Sequence, residues 1–159
     1  MNTKETEPVD VNNAFTPEYK TVLEEINKDG GCPAPFCLET APYHKHPRVF
    51  SFVHWKVTRN SFNYQNAKHA FLIVLNRHEE DFMNITKEEW ADLGIAIRTL
   101  VFFFKLEGYT LVWRMGEKSH TGASVSHLHA HLICGGPRPD KAPQDMDESE
   151  VIKAVVGFA

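Results

Sequence analysis

The 159-residue chain, with 42% apolar and 24% charged residues, has the length and composition of one globular domain with a sizeable core. Its formal net charge of −4 argues against a general nucleic-acid binder, which would present a basic face, but allows a nucleotide in a local pocket. Residues 1–13 lack the regions of a signal peptide, no apolar stretch is long enough to cross a bilayer, and an odd count of three cysteines indicates reduced thiols. We therefore expect a cytoplasmic protein that binds neither nucleic acid nor a membrane.

The chain opens with a polar segment and then a helix. Residues 1–15 show no apolar periodicity, which predicts a mobile N-terminal arm. Thr16, Pro17 and Glu18 supply an N-cap, a proline suited to the first helical position and an acid near the positive end of the helix dipole. We expect this helix to run to about Asn27 and to end at the following glycine pair.

Two cysteines near two histidines form a candidate metal site. Cys32 and Cys37 bracket a proline-rich stretch, and His44 and His46 follow it. Thiolates and imidazoles are the ligands that zinc prefers in proteins. The alternative interpretation is two buried or idle thiols in a proline-rich loop.

Three segments in the middle of the chain carry strand patterns. Residues 49–57 are rich in Phe, Val and Trp, which predicts a strand. Residues 69–75 form a nearly continuous apolar run, so we expect a central strand that is covered on both faces. Residues 109–115 predict a further strand.

A long helix is predicted over residues 86–107, starting from a capping box at Thr86. Two of its features do not fit a single buried stripe. Gly94 lies inside the helix, where glycine is unfavourable, and Phe102 and Phe103 broaden the apolar surface. Contact with a second subunit explains both features, and a wholly buried core helix is the alternative.

Alternating histidines mark the most informative stretch, residues 127–133. His127, His129 and His131 alternate with Leu128, Ala130 and Leu132. This period of two predicts a half-buried strand, with the imidazoles about 6.6–6.8 Å apart on one face and the apolar residues in a core. The exposed face of a strand usually carries Thr, Lys, Glu or Ser, so three imidazoles there indicate a functional cluster. The loop over residues 116–126 consists of small and polar residues, so its backbone N–H groups and hydroxyls can bind an anion.

Together these elements predict an α+β domain over residues 16–136, with an antiparallel sheet flanked by helices. Residues 137–150 are polar and carry three close acids, which is typical of a linker. Residues 151–159 are mildly apolar, so we expect a short docking segment, in the form of a helix, after that linker.

The sequence His-Leu-His-Ala-His-Leu-Ile at 127–133 resembles the histidine-triad motif, in which three histidines alternate with apolar residues. Gly122, Ser124 and Val125 fit the usual lead-in of that family, and the resemblance extends upstream to about Cys32. It implies a histidine-triad (HIT) fold, a homodimer, and a nucleotide hydrolase or nucleotidyl transferase that acts at the α-phosphate of an adenylyl or other purine nucleotide. The base, the leaving group and the acceptor stay open.

The same resemblance assigns a role to each histidine. His129 would be the nucleophile, His131 would lie near the phosphate and leaving group, and His127 would hold the cluster in place. A neutral imidazole is a competent nucleophile near pH 7, and a nucleotidyl-histidine splits one difficult displacement into two easier ones. This chemistry requires no metal.

The nucleotide contacts that the resemblance implies lie in one loop and one turn, at Ser124, Gly122, Val125 and Asn66. Two positions depart from the family pattern. Ala123 stands where many members have glutamine, and Gly116 stands where many have asparagine, so two phosphate contacts are missing. Arg114, Lys118 or loop amides can compensate for them.

The resemblance also implies a structural zinc, with the ligands Cys32, Cys37, His78 and His127. Four residues separate the two cysteines here, whereas many family members have two. With this spacing, the two cysteines can still bind one metal ion.

Two other functions remain open from the sequence alone. A metal-dependent hydrolase is one, although His127 and His131 would lie about 13 Å apart on a straight strand and would not readily share one ion. A nucleotide-binding module with little activity is the other, and the departures at Ala123 and Gly116 suggest it.

Overall fold

A five-stranded antiparallel sheet forms the centre of the domain. The computed structural model describes residues 7–30, 32, 36–37, 43, 45–154 and 157–158. Its strands are β1 (Arg48–Ser51), β2 (Trp55–Arg59), β3 (His69–Leu75), β4 (Thr110–Val112) and β5 (His129–Cys134), in the order β1-β2-β3-β5-β4. The helices are α1 (Pro17–Asp29), α2 (Lys87–Phe104) and the short α3 (Lys118–Thr121). The predicted α+β class with an antiparallel sheet is confirmed. In the described part of the chain, no helix has the length and apolar character needed to span a membrane.

The two faces of the sheet pack against different elements. One face meets α2 in a core built from Trp55, Val57, Phe71, Ile73, Leu75, Leu93, Ala96, Leu100, Leu132 and Cys134. The opposite face meets α1 and the segment before it, through Leu72, Val74, Val9, Leu23, Ile26, Phe36 and Val125. Strand β3 is therefore covered on both faces, as its continuous apolar run predicts. On β5, alternate residues face α2, so the histidines between them face the α1 side.

The strand predicted over residues 49–57 is in fact a hairpin of β1 and β2. The Phe52 N–H donates to the Trp55 carbonyl at 2.7 Å, and the His54 N–H donates to the Asp92 carboxylate on α2 at 2.6 Å. Val53, at the tip, is 80% exposed. Sequence analysis missed this turn because it contains no glycine or proline, and because its stabilising carboxylate lies 38 residues away.

The other strand bounds also differ from the predictions. Strand β4 spans only Thr110–Val112 of the predicted 109–115, because its pairing with β5 ends where Val112 meets His131. Strand β5 begins at His129, two residues later than predicted. The residue before it, Leu128, donates instead to the Glu79 carbonyl at 2.8 Å.

Helix α2 begins at the predicted capping box but ends earlier than residue 107. Lys105 takes the left-handed conformation, with a φ of 51°, and its N–H donates to the Phe102 carbonyl. The following residue, Leu106, donates to the Val101 carbonyl at 3.0 Å and packs against the core. Burial of Leu106 therefore ends the helix before Gly108. The helix also exposes Phe102, so within one chain it is not wholly buried.

The segment over residues 7–15 is packed, which corrects the prediction of a mobile arm there. Val9 is fully buried and forms a β-bridge with Val125. The Asn13 amide donates to the Ala123 carbonyl at 2.8 Å and to the Lys118 carbonyl at 3.0 Å. Residues 1–6 lie outside the described part.

The segment after the sheet contains one turn of 3-10 helix, Pro143–Asp145. The predicted docking helix does not form over the described residues 151–154 and 157–158. The remainder of that prediction, like Gly31 and His44, lies outside the described residues.

Candidate functional site

His129 and His131 lie side by side in a cavity on the α1 side of the sheet. Their ring centroids are 4.9 Å apart. The cavity has a volume of about 620 Å³, and Tyr19, Tyr64 and Arg114 contribute polar groups to its wall. Because β5 pairs with β3 on one side and with β4 on the other, backbone hydrogen bonds fix both imidazoles on this face.

The tautomer of His129 follows from one hydrogen bond. Its Nδ1 lies 2.8 Å from the His127 carbonyl oxygen, which can only accept, so Nδ1 carries the proton and Nε2 carries a lone pair. Burial lowers the pKa of His129 to about 4, so the ring is neutral near pH 7. A neutral imidazole with a lone pair on Nε2 is the form that a nucleophile needs.

His131 has a side-chain partner. The Tyr64 hydroxyl lies 3.2 Å from His131 Nδ1, and Arg114 Nη1 donates to that hydroxyl at 3.4 Å. Burial holds the pKa of His131 well below its usual range, with His129 and Arg114 adding to the effect. His131 is therefore also neutral near pH 7.

His127 does not line this cavity and lies among the cysteines instead. Its Nδ1 is 3.3 Å from the sulfur atoms of both Cys32 and Cys37, and His78 Nδ1 is 3.3 Å from Cys37 Sγ. One ligand atom from each of these four residues lies within 4.8 Å of the others. The cluster therefore brings together the four residues of the predicted metal site.

The donor set of this cluster fits a metal ion. His127 Nε2 donates to the Leu75 carbonyl at 2.8 Å, and His78 Nε2 lies 3.1 Å from the Glu80 carboxylate, so each Nδ1 carries a lone pair towards the sulfur atoms. Tetrahedral zinc with Zn–S of about 2.3 Å and Zn–N of about 2.0–2.1 Å requires an S···N separation of roughly 3.6 Å, close to the separations here. Burial and the neighbouring Cys37 thiol raise the pKa of the Cys32 thiol, and a bound cation would offset both effects.

The ring of Phe36 lies between the cysteine–histidine cluster and the cavity. Phe36 lies between the two cysteines in sequence, and its ring centroid is 5.6 Å from that of His127 and 4.9 Å from that of His129. The Lys56 ammonium donates to the Phe36 carbonyl at 2.6 Å, and Lys56 is only 7% exposed. The sequence alone did not assign either residue to the site, although a lysine inside the apolar strand pattern was a detectable signal.

The loop before β5 lines the cavity. Ser124, Gly122 and Val125 all contribute to its wall. The Ser124 hydroxyl is hydrogen-bonded to the Tyr19 hydroxyl, and Gly122 ends α3 with a φ of 68°. No pattern in the sequence indicated Tyr19 or Tyr64, because the elements that carry them meet only in the fold.

Asn66 is the one predicted nucleotide contact that lies elsewhere. It takes the left-handed conformation, with a φ of 65°, and its amide donates to the Glu148 and Val151 carbonyls at 2.7 and 2.8 Å. The backbone turn at Asn66 thus directs the side chain to the segment after the sheet. Lys153 and Phe158 of that segment line the cavity.

Comparison with known proteins gives matches in structure only. No protein-family model matches the chain, and no curated protein matches it. A solved structure described as a Hit-like protein has a TM-score of 0.51 and 23% identity, covering 60% of this chain and 91% of the other. A HIT family hydrolase from Clostridium thermocellum has a TM-score of 0.50 and 19% identity, covering 65% and 88%. A histidine triad protein from Clostridium difficile has a TM-score of 0.49 and 17% identity, covering 63% and 88%. The chain therefore has the histidine-triad fold.

Proposed function

We propose that the chain is a nucleotide hydrolase or nucleotidyl transferase that acts at the α-phosphate through a nucleotidyl-His129 intermediate. One observation carries this proposal. The hydrogen bond from His129 Nδ1 to the His127 carbonyl leaves the Nε2 lone pair on a neutral ring inside a cavity. The likeness to a solved HIT family hydrolase supports the same class of reaction.

The proposed reaction has two displacement steps. The Nε2 lone pair of His129 forms a bond to the α-phosphorus, and the bond from phosphorus to the leaving oxygen, or to the leaving nitrogen of a phosphoramidate, breaks with its electron pair on that leaving atom. The leaving group then takes a proton from water. In the second step, a water or alcohol oxygen bonds to phosphorus, the P–N bond electrons return to Nε2, and the displaced proton goes to solvent. A water acceptor gives hydrolysis, whereas an alcohol acceptor gives transfer.

The walls of the cavity suit the two ends of a nucleotide. Arg114, Ser124 and Tyr19 supply a guanidinium and hydroxyls for phosphoryl oxygens. Leu23 and Ile26 of α1 line the same cavity and offer an apolar surface for a base. A volume of about 620 Å³ lies within the usual range for sites that bind small molecules.

A structural zinc belongs to this proposal. Cys32, Cys37, His78 and His127 would hold it. When bound, the metal would supply a cross-link between the cysteine segment, the turn after β3 and the residues just before β5, and no chemical step passes through it. Since His127 belongs to this cluster and the other two histidines line the cavity, the geometry does not favour a metal-dependent hydrolase.

We also propose a homodimer through the exposed face of α2. Phe102 and Phe103 are 87% and 63% exposed, and Gly94 is exposed with open space where a side chain would begin. Exposed aromatic residues and an exposed glycine on the same helix favour contact with a second copy. Sedimentation equilibrium at micromolar concentration tests this, with dimer expected for wild type and monomer for Phe102→Glu. Phe15→Glu, on the α1 side of the sheet, is the matched control, and a monomeric wild type would contradict the proposal.

The experiment that tests the activity is turnover of adenylyl substrates in chelator. The protein is incubated with an AMP ester, an AMP phosphoramidate and a dinucleoside polyphosphate, and it is quenched in denaturant at alkaline pH to protect the P–N bond. Mass spectrometry is expected to find a nucleotidyl group on His129. AMP binding without any turnover would contradict the proposal and favour the binding module, which the missing side chains at Ala123 and Gly116 suggest.

A further inference from the structure

We infer that Tyr64 is a positioning residue whose hydroxyl fixes His131 as an Nε2–H donor towards the phosphoryl group, with Arg114 orienting that hydroxyl. This inference rests on the proposed function for its catalytic consequence. Tyr64 lies just after the β2 strand, and Arg114 lies just after β4, so neither residue belongs to the histidine motif. Both line the cavity that holds His129 and His131.

The direction of each hydrogen bond follows from the donor inventory. A guanidinium has donors and no acceptor, so Arg114 Nη1 donates to the Tyr64 oxygen at 3.4 Å. The Tyr64 oxygen thereby accepts one hydrogen bond and still has its own proton to donate. His131 Nδ1, at 3.2 Å, is its acceptor. Nδ1 then carries a lone pair, and the ring proton of neutral His131 sits on Nε2.

The opposite direction fits the site less well. If His131 Nδ1 donated to Tyr64, the hydroxyl oxygen would receive two donors, from His131 and Arg114, and its own proton would need a third partner. In the described part of the chain, the Tyr64 hydroxyl hydrogen-bonds only through these two contacts. His131 would also direct a lone pair on Nε2 at the negatively charged phosphoryl oxygens.

The rings themselves support a fixed geometry. The centroids of Tyr64 and His131 are 5.7 Å apart with an interplanar angle of 78°, which is an edge-to-face arrangement. The hydroxyl and the ring contact together hold the imidazole of His131 in one orientation beside His129. A donor preorganised in this way stabilises charge that develops on phosphoryl oxygens in the transition state.

The two neighbouring histidines therefore differ at Nε2, which carries a lone pair in His129 and a proton in His131. The His127 carbonyl accepts from His129 Nδ1, which keeps the ring proton on Nδ1 and leaves a lone pair on Nε2. The Tyr64 hydroxyl donates to His131 Nδ1, so the ring proton of His131 sits on Nε2. The nucleophile and the oxyanion donor are thus set apart by their hydrogen-bond partners, although they are the same residue type on the same strand.

The test compares Tyr64→Phe with wild type and with Tyr109→Phe, which removes an exposed hydroxyl outside the cavity. Long-range ¹H–¹⁵N correlation spectra of the histidine rings are recorded without substrate. We expect His131 in the Nε2–H form in wild type and in Tyr109→Phe, and a mixture of both tautomers in Tyr64→Phe. His131 in the Nδ1–H form in wild type, or an unchanged tautomer in Tyr64→Phe, would overturn the inference.

Kinetics with an AMP ester supply the second readout. Tyr64→Phe is expected to lower kcat by about 10- to 100-fold with KM within about threefold of wild type, as for other residues that orient a functional imidazole. Unchanged kcat would overturn the catalytic role of Tyr64. If wild type turns over no adenylyl substrate, the proposed function fails, whereas the spectra still decide whether Tyr64 sets the tautomer of His131.

Discussion

The two sides of the cavity are built in different ways. On the strand side, His129 pairs with Val74, and His131 pairs with Leu72 and Val112, so backbone hydrogen bonds set the positions of the imidazoles. On the loop side, the segment with Cys32 and Cys37 is attached through sulfur contacts to imidazoles and through the bond from a lysine to a carbonyl. Side-chain contacts, and those to the proposed metal, can be removed one at a time, but a strand in the middle of a sheet is not dismantled without loss of the fold. Substitutions on the two sides should therefore separate activity from stability.

The largest expected effect is on the strand side. His129→Ala should lower turnover of an AMP ester by several powers of ten, because a nucleophile within a cooperative site accounts for rate factors of this size. The fold should remain, since the backbone of β5 keeps its hydrogen bonds. Steady-state kinetics and thermal unfolding measure the two effects. A variant that keeps more than about a tenth of the wild-type rate would show that His129 is not the nucleophile.

The next largest effect is on the loop side. Cys37→Ala removes one ligand of the proposed zinc site, so metal content should fall from about one equivalent to under about a tenth. The unfolding free energy should also fall, because a ligand present at 100 times its dissociation constant stabilises the folded state by about 2.7 kcal/mol. Elemental analysis and denaturant unfolding, on protein prepared without chelator, give both values.

Cys134→Ala is the matched control for the metal measurement, since Cys134 is a buried thiol on the α2 side of the sheet. It should lower stability by creating a small cavity but keep the metal. Equal metal content in wild type and Cys37→Ala would contradict the zinc site.

A smaller effect concerns the ion pairs that hold the turn carrying His78. Arg77 donates to Glu89 at 2.6 Å and to Glu79 at 2.8 Å, and Glu89 is nearly buried. Arg77→Met should destabilise the protein by about 2 kcal/mol at neutral pH, less than a fully buried pair because Arg77 is partly exposed. Comparison with Cys37→Ala separates the stability that comes from ion pairs from the stability that comes from metal.

The same ion pairs predict a pH dependence. Arg77 lowers the pKa of Glu89, while the Asp81 backbone N–H and Arg77 lower the pKa of Glu79 to about 2. Carboxylates whose pKa is lower in the folded state stabilise it above the unfolded value, and this stabilisation is lost as pH falls from about 4.5 to about 2. Denaturant unfolding across this range should show the difference between wild type and Arg77→Met shrinking. A constant difference would show that the carboxylates do not act through Arg77.

The smallest effect tests the contact that Asn66 makes with the segment after the sheet. Asn66→Gly removes two exposed amide hydrogen bonds but suits a positive φ, so it should cost about 1 kcal/mol. Asn66→Ala also places a side chain in the left-handed region and should cost about 1 kcal/mol more. Denaturant unfolding measures both variants, and equal stability of the two would show that the backbone conformation at this position is relaxed.

Periodicity predicted the parts of the fold that depend on neighbours in sequence. The period-two histidines, the apolar run of β3 and the capping box of α2 each place their element within a few residues. The turn of the β1–β2 hairpin was missed because a carboxylate from α2 stabilises it. The end of α2 was misplaced because burial of Leu106 selects a left-handed lysine.

In the candidate site, too, some residues were predicted from the sequence and others are found only from the fold. The resemblance implied the four metal-type ligands and the loop around Ser124, and the fold brings those four residues together and lines the cavity with that loop. It placed Asn66 in the cavity, where the fold puts Lys153 and Phe158 instead. Tyr64 could not be found from sequence, because its partner His131 is 67 residues away. Contacts between distant elements carry no local pattern.

The alternation along β5 has a consequence for how this protein can change over evolutionary time. Ala130 and Leu132 are fully buried, with Leu132 in the core against α2, while His129 and His131 line the cavity. Inserting or deleting one residue within this strand would put imidazoles into the apolar core and leucines into the cavity. Such a change would remove the proposed active site and the folded core together. Substitutions are therefore the only small mutations open to this strand, and the loops at its two ends have to absorb any change in length.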